Sequence, residues 1–151
     1  MPITGCARSN GNAMTVYLED IRPGMTATHS RTVTDRDVQL FGEATGDMNP
    51  IHFDEAYAKK TVFRGRVAHG ALTLGFISAV LGTQLPGAGT IFQGATIAFK
   101  APVRIGETVT VTATVQALEG RSATIACVCA VGETVVMESD VQVLVPKRPR
   151  G

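Results

Sequence analysis

The sequence predicts an α+β domain in which one antiparallel sheet curls around a single long helix. Three observations carry this. Residues 70–85 are apolar on nearly every side, the mark of a buried helix. From residue 90 onward the hydrophobic period changes to two, and Thr108 to Val115 alternates polar and apolar residues without a fault. Gly120 and Gly132 then punctuate the following runs as hairpin turns do. Such a sheet must cover its inner face, and helix 70–85 is the candidate to do so.

Each element follows from local chemistry. Residues 1–15 carry Gly, Asn and Ser without periodicity and are expected to be disordered. Leu18 to Gly24 is a lead-in ending in the Pro23-Gly24 turn, and Thr26 to Val33 is the first strand. Thr34 caps a short amphipathic helix over 35–45, with Asp35 and Asp37 in its first turn and Gly46 at its end. Pro50 cannot continue a helix and biases Asn49 away from helical geometry, so an irregular loop is expected there. Asp54 to Lys60 forms another short helical turn. Pro86-Gly87-Ala88-Gly89 stops the long helix, and strands follow at 90–101, 108–115, 121–131 and 134–145. One domain thus spans 16–146, and 147–151 is a basic, solvated tail.

Composition limits the function classes. A chain of 151 residues, 44% apolar and 18% charged, can bury a core without disulfides or metals. A net charge of +1 with no basic run argues against nucleic acid. Residues 1–13 lack the basic and apolar regions of a signal peptide, and the longest apolar run is too short and polar to span a bilayer. Cys127 and Cys129 point to one face of a strand about 6.5–7 Å apart, poor geometry for a disulfide. Buried free thiols in a reducing, cytoplasmic compartment fit best. No set of three or four His, Cys or Asp has zinc-like spacing, so no metal is expected.

Chemistry concentrates in Gly46-Asp47-Met48-Asn49-Pro50-Ile51-His52-Phe53-Asp54, followed by Arg66-Val67-Ala68-His69-Gly70. A carboxylate and an imidazole five residues apart on one loop are suited to proton transfer. The first N–H groups of helix 70–85 lack intrahelical partners, and Gly70 has no side chain to keep a carbonyl away. Asn49 either orients the loop or bonds a substrate. His69 packs or positions the loop before Gly70. Arg64 and Arg66 are either solvated or meet anionic phosphates. Ser78, two turns along the helix, either bonds back to a carbonyl one turn earlier or faces the site.

These motifs, in this order and spacing, resemble the MaoC-like (R)-specific enoyl-CoA hydratases over about Val16 to Val145. The resemblance implies a single hot-dog fold and reversible hydration of trans-2-enoyl-CoA to the (R)-3-hydroxyacyl-CoA. It implies Asp47 and His52 as the catalytic pair, Gly70 as the oxyanion donor and Ser78 as support for the aspartate. It further implies homodimers joined sheet edge to sheet edge, and no cofactor beyond the coenzyme A of the substrate. Thioester hydrolysis is the alternative activity, and an acyl-thioester-binding module the non-catalytic one. The Asp47/His52 spacing resembles the hydratase pattern, and binding alone requires no ionisable pair.

Overall fold

A computed structural model describes residues 14–151, so the expected disordered segment lies almost wholly outside the described residues, Cys6 included. At its near end, Thr15 donates to the Ala88 carbonyl and the Val16 N–H to that of Pro86. The elements are β1 (Thr26–Thr32), α1 (Asp35–Thr45), α2 (Pro50–Phe53), α3 (Glu55–Ala58), α4 (Gly70–Thr83), β2 (Ile91–Phe99), β3 (Thr108–Glu119), β4 (Ser122–Val131) and β5 (Thr134–Leu144).

Three hairpin-linked strands form the middle of the sheet. Glu119 pairs with Ser122 and Val131 with Thr134, which leaves two-residue turns headed by Gly120 and Gly132 at φ 59° and 58°. A primed turn needs a positive φ at that position, and glycine supplies it without steric cost. β1 adds to β3 and β2 to β5, giving the antiparallel order β1-β3-β4-β5-β2. The alternation in β3 does what the sequence implied: Val109, Val111, Ala113 and Val115 are buried, while the threonines between them face outward.

The sheet curls over α4, which fills its concave side with Phe76, Ile77, Val80 and Leu81. This is the hot-dog arrangement. The helix is not enclosed on all sides, however. Ala71, Gly75, Ser78, Ala79 and Gly82 lie along an exposed face, because the sheet wraps only one side of it. No described helix is long and apolar enough to cross a membrane.

Two local expectations are revised. Pro50 does not merely end regular structure; it opens α2 at the first helical position, where its missing N–H costs nothing, with the Asn49 side chain as cap. His52 therefore sits on a helical turn and not on an irregular loop. The basic tail is also tied down. The Arg148 N–H donates to Glu19, and its guanidinium pairs with Asp20 and lies over the Tyr17 ring.

The α1–α2 connection depends on Gly42. A Cβ there would come within 2.5 Å of the Phe53 ring, 3.0 Å of the Met48 sulfur and 3.3 Å of the Asp47 carbonyl. Helix propensity alone favours Gly→Ala by about 1 kcal/mol. At Gly75, where a Cβ meets nothing, that gain is free of any clash within the chain. Gly42→Ala should instead destabilise, by about 1–3 kcal/mol, as overpacking does. Thermal melts of the two variants check this, and a Gly42→Ala protein that gains stability would contradict it.

Candidate active site

α1 ends at Gly46, whose φ of 80° turns the chain out of the helix and delivers Asp47 at once. Asp47 is exposed, and its carboxylate accepts from the Asn49 N–H at 3.3 Å. Asn49 in turn accepts from Ile51. It is thus engaged in orienting the loop. His52, one helical turn on, is 6% exposed, and its Nδ1 lies 2.7 Å from the Val67 carbonyl. A carbonyl only accepts, so Nδ1 carries the proton and the neutral ring keeps its Nε2 lone pair free. Burial pushes the His52 pKa below the ordinary histidine value, and the adjacent His69 and Arg66 act in the same direction. The Val67 bond and Asp47 oppose this without overcoming it. The ring is therefore a neutral proton acceptor in the physiological range.

His69 is the residue whose role the sequence conveyed least. It is 1% exposed and caps no helix N–H, although it stands at the cap position of α4. Its Nε2 lies 3.0 Å from the Asp47 backbone carbonyl and must donate to it. Its ring stacks on His52, centroid to centroid at 3.8 Å, and contacts Phe41 at 4.6 Å. His69 thus ties the Asp47 loop and the His52 ring to the start of α4. Its Nδ1 is buried with no hydrogen-bond partner. Such an atom usually marks a functional place.

One ligand-type atom each from Asp47, His52 and His69 lies within 4.8 Å of the others. Spacing in the sequence did not foreshadow this grouping, which is of a size that holds a cation. It equally suits a water molecule, since two hydrogen bonds of about 2.8 Å reach across such a gap. The Nδ1 of His52 and the Nε2 of His69 are already committed to carbonyls.

A cavity of about 420 Å³ opens beside this group, within the range that binds small ligands. His52 and Gly70 line it with apolar side chains from Ile51, Phe63, Phe99 and Met137. No described group accepts from the Gly70 or Ala71 N–H. These donors stand at the positive end of α4 and are available to an anionic oxygen. Gly70 must lack a side chain, because a Cβ would come within 2.7 Å of the Phe99 ring. Phe99, Met137 and Phe63 gave no signal in the sequence, since isolated apolar side chains read as ordinary core.

Ser78 does not join the site within this chain. Eight residues beyond Gly70 rotate it about 80° around the helix axis, and it lies on the exposed face without a hydrogen bond to Asp47. Arg66 donates through Nε to the His52 carbonyl at 2.7 Å and pairs with Asp35 at 2.6 Å, so it braces α2. Arg64 is exposed on the neighbouring turn.

Fold and site together define a hot-dog protein in which an imidazole and a free helix N-terminus line one cleft, with a carboxylate beside the imidazole. Residues 20–137 match the MaoC-like domain family, and the chain belongs to it. It is 48% identical to the (R)-specific enoyl-CoA hydratase of Rhodospirillum rubrum, an alignment covering 87% of this chain and 93% of that one. Its identity to the 3-hydroxybutyryl-CoA dehydratase of Methylorubrum extorquens is 47%, over 88% and 86% of the two chains. Among solved structures it resembles the unliganded R-hydratase of Pseudomonas aeruginosa, with a TM-score of 0.83, 33% identity, and coverage of 89% and 88%.

Asp47→Asn and His52→Gln should each lower turnover roughly 100-fold or more, the range of a lost acid–base group, with melting temperature little changed. Near-normal turnover in either folded variant would remove that residue from the chemistry. His69→Asn keeps an N–H for the Asp47 carbonyl, whereas His69→Leu keeps only bulk. The leucine variant should lose about tenfold more in kcat than the asparagine variant, as one buried hydrogen bond warrants. Equal losses would mean that His69 acts through packing alone.

Proposed function

We propose that the protein catalyses reversible hydration of trans-2-enoyl-CoA to (R)-3-hydroxyacyl-CoA, running as a 3-hydroxyacyl-CoA dehydratase in reverse. The observation that carries this is the meeting, in one apolar cleft, of the His52 ring and the unpartnered Gly70 N–H, with Asp47 within 4.8 Å of His52. The thioester oxygen sits on the Gly70 N–H, and one water lies between the Asp47 carboxylate and the His52 Nε2. The water oxygen bonds to Cβ as Asp47 takes its proton. The alkene electron pair moves through Cα, leaving an enolate whose charge rests on the thioester oxygen. A donor of this kind is worth about 2.7–4 kcal/mol in the transition state. The enolate then takes the proton back from Asp47 at Cα, so the net change is addition of H and OH.

Both members of the pair lie on one short segment, so hydroxyl and proton reach the same face of the substrate. Thioester hydrolysis would need the water aimed at the carbonyl carbon, and the family relatives named above favour the hydratase reading. We assign no metal and no organic cofactor to the reaction, since the Gly70 N–H answers the oxyanion and the Asp47/His52 pair answers the water. The buried free thiols Cys127 and Cys129 suit a cytoplasmic enzyme.

We also infer a homodimer, with higher assembly open to it. β2 is an edge strand, and an unpaired edge is usually covered. Its Ile91, Phe92 and Phe99 are exposed at 55%, 37% and 60%, and the small-residue face of α4 is open as well. A second copy pairing edge to edge covers these surfaces about a two-fold axis. Light scattering should report a dimer or larger; a fully active monomer at micromolar concentration would contradict it.

Purified protein mixed with crotonyl-CoA should abolish the enoyl thioester absorbance without freeing thiol. A coupled dehydrogenase specific for the (R) alcohol should consume the product, and strong chelator should leave the rate unchanged. Released thiol would indicate a thioesterase, dominant (S) product would place the pair on the opposite face, and chelator-sensitive activity restored by a divalent ion would require a metal.

A further inference from the structure

The cleft beside His52 has a basic neighbour. Two short segments, 63–67 and 103–105, contribute to both: Phe63, Val67 and Val103 line the cleft, whereas Arg64, Gly65, Arg66, Arg104 and Ile105 line a second cavity of about 360 Å³ together with Glu55. The second cavity is lined by three guanidinium groups and one carboxylate.

The three cations are not equivalent. Arg66 is neutralised by Asp35 at 2.6 Å. Arg104 donates through Nη1 to the Gly65 carbonyl at 3.1 Å and through Nη2 to that of Phe63 at 2.5 Å. These acceptors are uncharged, so they fix the guanidinium in place and leave its charge uncompensated. The Arg64 N–H donates to the Thr61 carbonyl at 3.1 Å, but its guanidinium has no hydrogen bond or ion pair among the described residues. Glu55, the one acid lining the cavity, accepts from the Arg66 N–H at 3.1 Å and makes no ion pair with Arg64 or Arg104.

Backbone geometry singles out Arg64 further. Its φ is 57°, the only positive value at a non-glycine among the described residues. That region suits glycine or asparagine, and an arginine occupies it at a cost in strain. The strained residue is also the one of the three whose guanidinium has no partner among the described residues. Gly65 beside it keeps the cavity open: a Cβ there would come within 3.2 Å of Glu55 and 3.5 Å of Arg104. A cavity held open next to two unneutralised guanidiniums is suited to phosphate oxygens, which a planar fork of N–H donors matches well.

We propose that Arg64 and Arg104, braced by Arg66, form the seat for the phosphates of the coenzyme A nucleotide, so that the enzyme selects its substrate by the nucleotide end as well as by the acyl end. This rests on the hydratase reading. Coenzyme A carries a pyrophosphate and a 3′-phosphate, whereas pantetheine carries none, and the two thioesters are otherwise alike at the reacting end.

The test compares kcat/KM for crotonyl-CoA and crotonyl-pantetheine in the wild type and in Arg64→Asn, chosen because asparagine tolerates the left-handed backbone. The preference for the coenzyme A ester should fall about tenfold in Arg64→Asn, through KM, which is the scale of one charge-assisted hydrogen bond. Arg64→Lys should retain most of it. Inhibition by 3′-phospho-ADP, competitive with crotonyl-CoA in the wild type, should weaken in parallel, and its wild-type arm stands even where a variant fails to fold. A preference unchanged within about twofold, or no competition by 3′-phospho-ADP, overturns the phosphate seat while hydration of crotonyl-pantetheine leaves the hydratase reading intact. If neither thioester is hydrated, both fall.

Discussion

The site depends on the hydrogen bond from the His69 ring, itself only 1% exposed, to the Asp47 carbonyl at 3.0 Å. It joins the exit of α1 to the start of α4, alongside the Phe41–His69 ring contact and the Arg66–Asp35 pair. Because the acceptor is a backbone oxygen, the bond fixes where the Asp47 segment runs and leaves its carboxylate at liberty. The same ring packs against His52 at 3.8 Å with a tilt of 31°, so its position bears on both Asp47 and His52. Such a bond is usually worth about 0.5–1.5 kcal/mol, and its loss would leave the Nε2 of the buried His69 ring without its partner.

Around that bond the fold is arranged to hold rings without enclosing the chemistry. Gly42 clears space for Phe53, and Gly70 for Phe99. Both glycines lie in helices, where they weaken propensity, and in both places the missing side chain admits an aromatic ring. The sheet supplies the rigid wall. Its hairpin strands keep Met137 at the cleft, and α4 brings its N-terminus to the same place from the opposite layer.

The sequence made the architecture legible because the signals were periodic. A faultless alternation in β3, glycines at both hairpin turns, and a threonine cap with Asp37 three residues on each pointed to one answer. The grouping of Asp47 with His52 was legible for a different reason: the two are close in the chain and joined by one short segment. What escaped was long-range. His69 read as a loop residue because its partner is 22 positions away. Phe99 and Met137 come from strands distant in sequence and carry no polar group to betray them. Ser78 stands two turns along α4 from Gly70, but eight residues carry it about 80° past alignment, onto the exposed face. Pro50 read as a breaker because a proline that ends one helix and one that opens another look alike until the preceding cap is seen.

The cysteines of β4 acquire a meaning from the substrate. An α,β-unsaturated thioester is an electrophile at Cβ, and the groups most prone to add to such a carbon are thiolates. Cys127 and Cys129 are buried, and burial pushes both thiols up to about 12. At neutral pH only about one in 10⁵ of either is ionised, and the thiolate is the nucleophilic form. Small, polarisable side chains fill the core under the sheet, yet they are electronically silent toward the compound the enzyme handles at every turnover. The same burial that makes cysteine acceptable as a packing residue here also shields these two thiols from alkylation by an enoyl thioester.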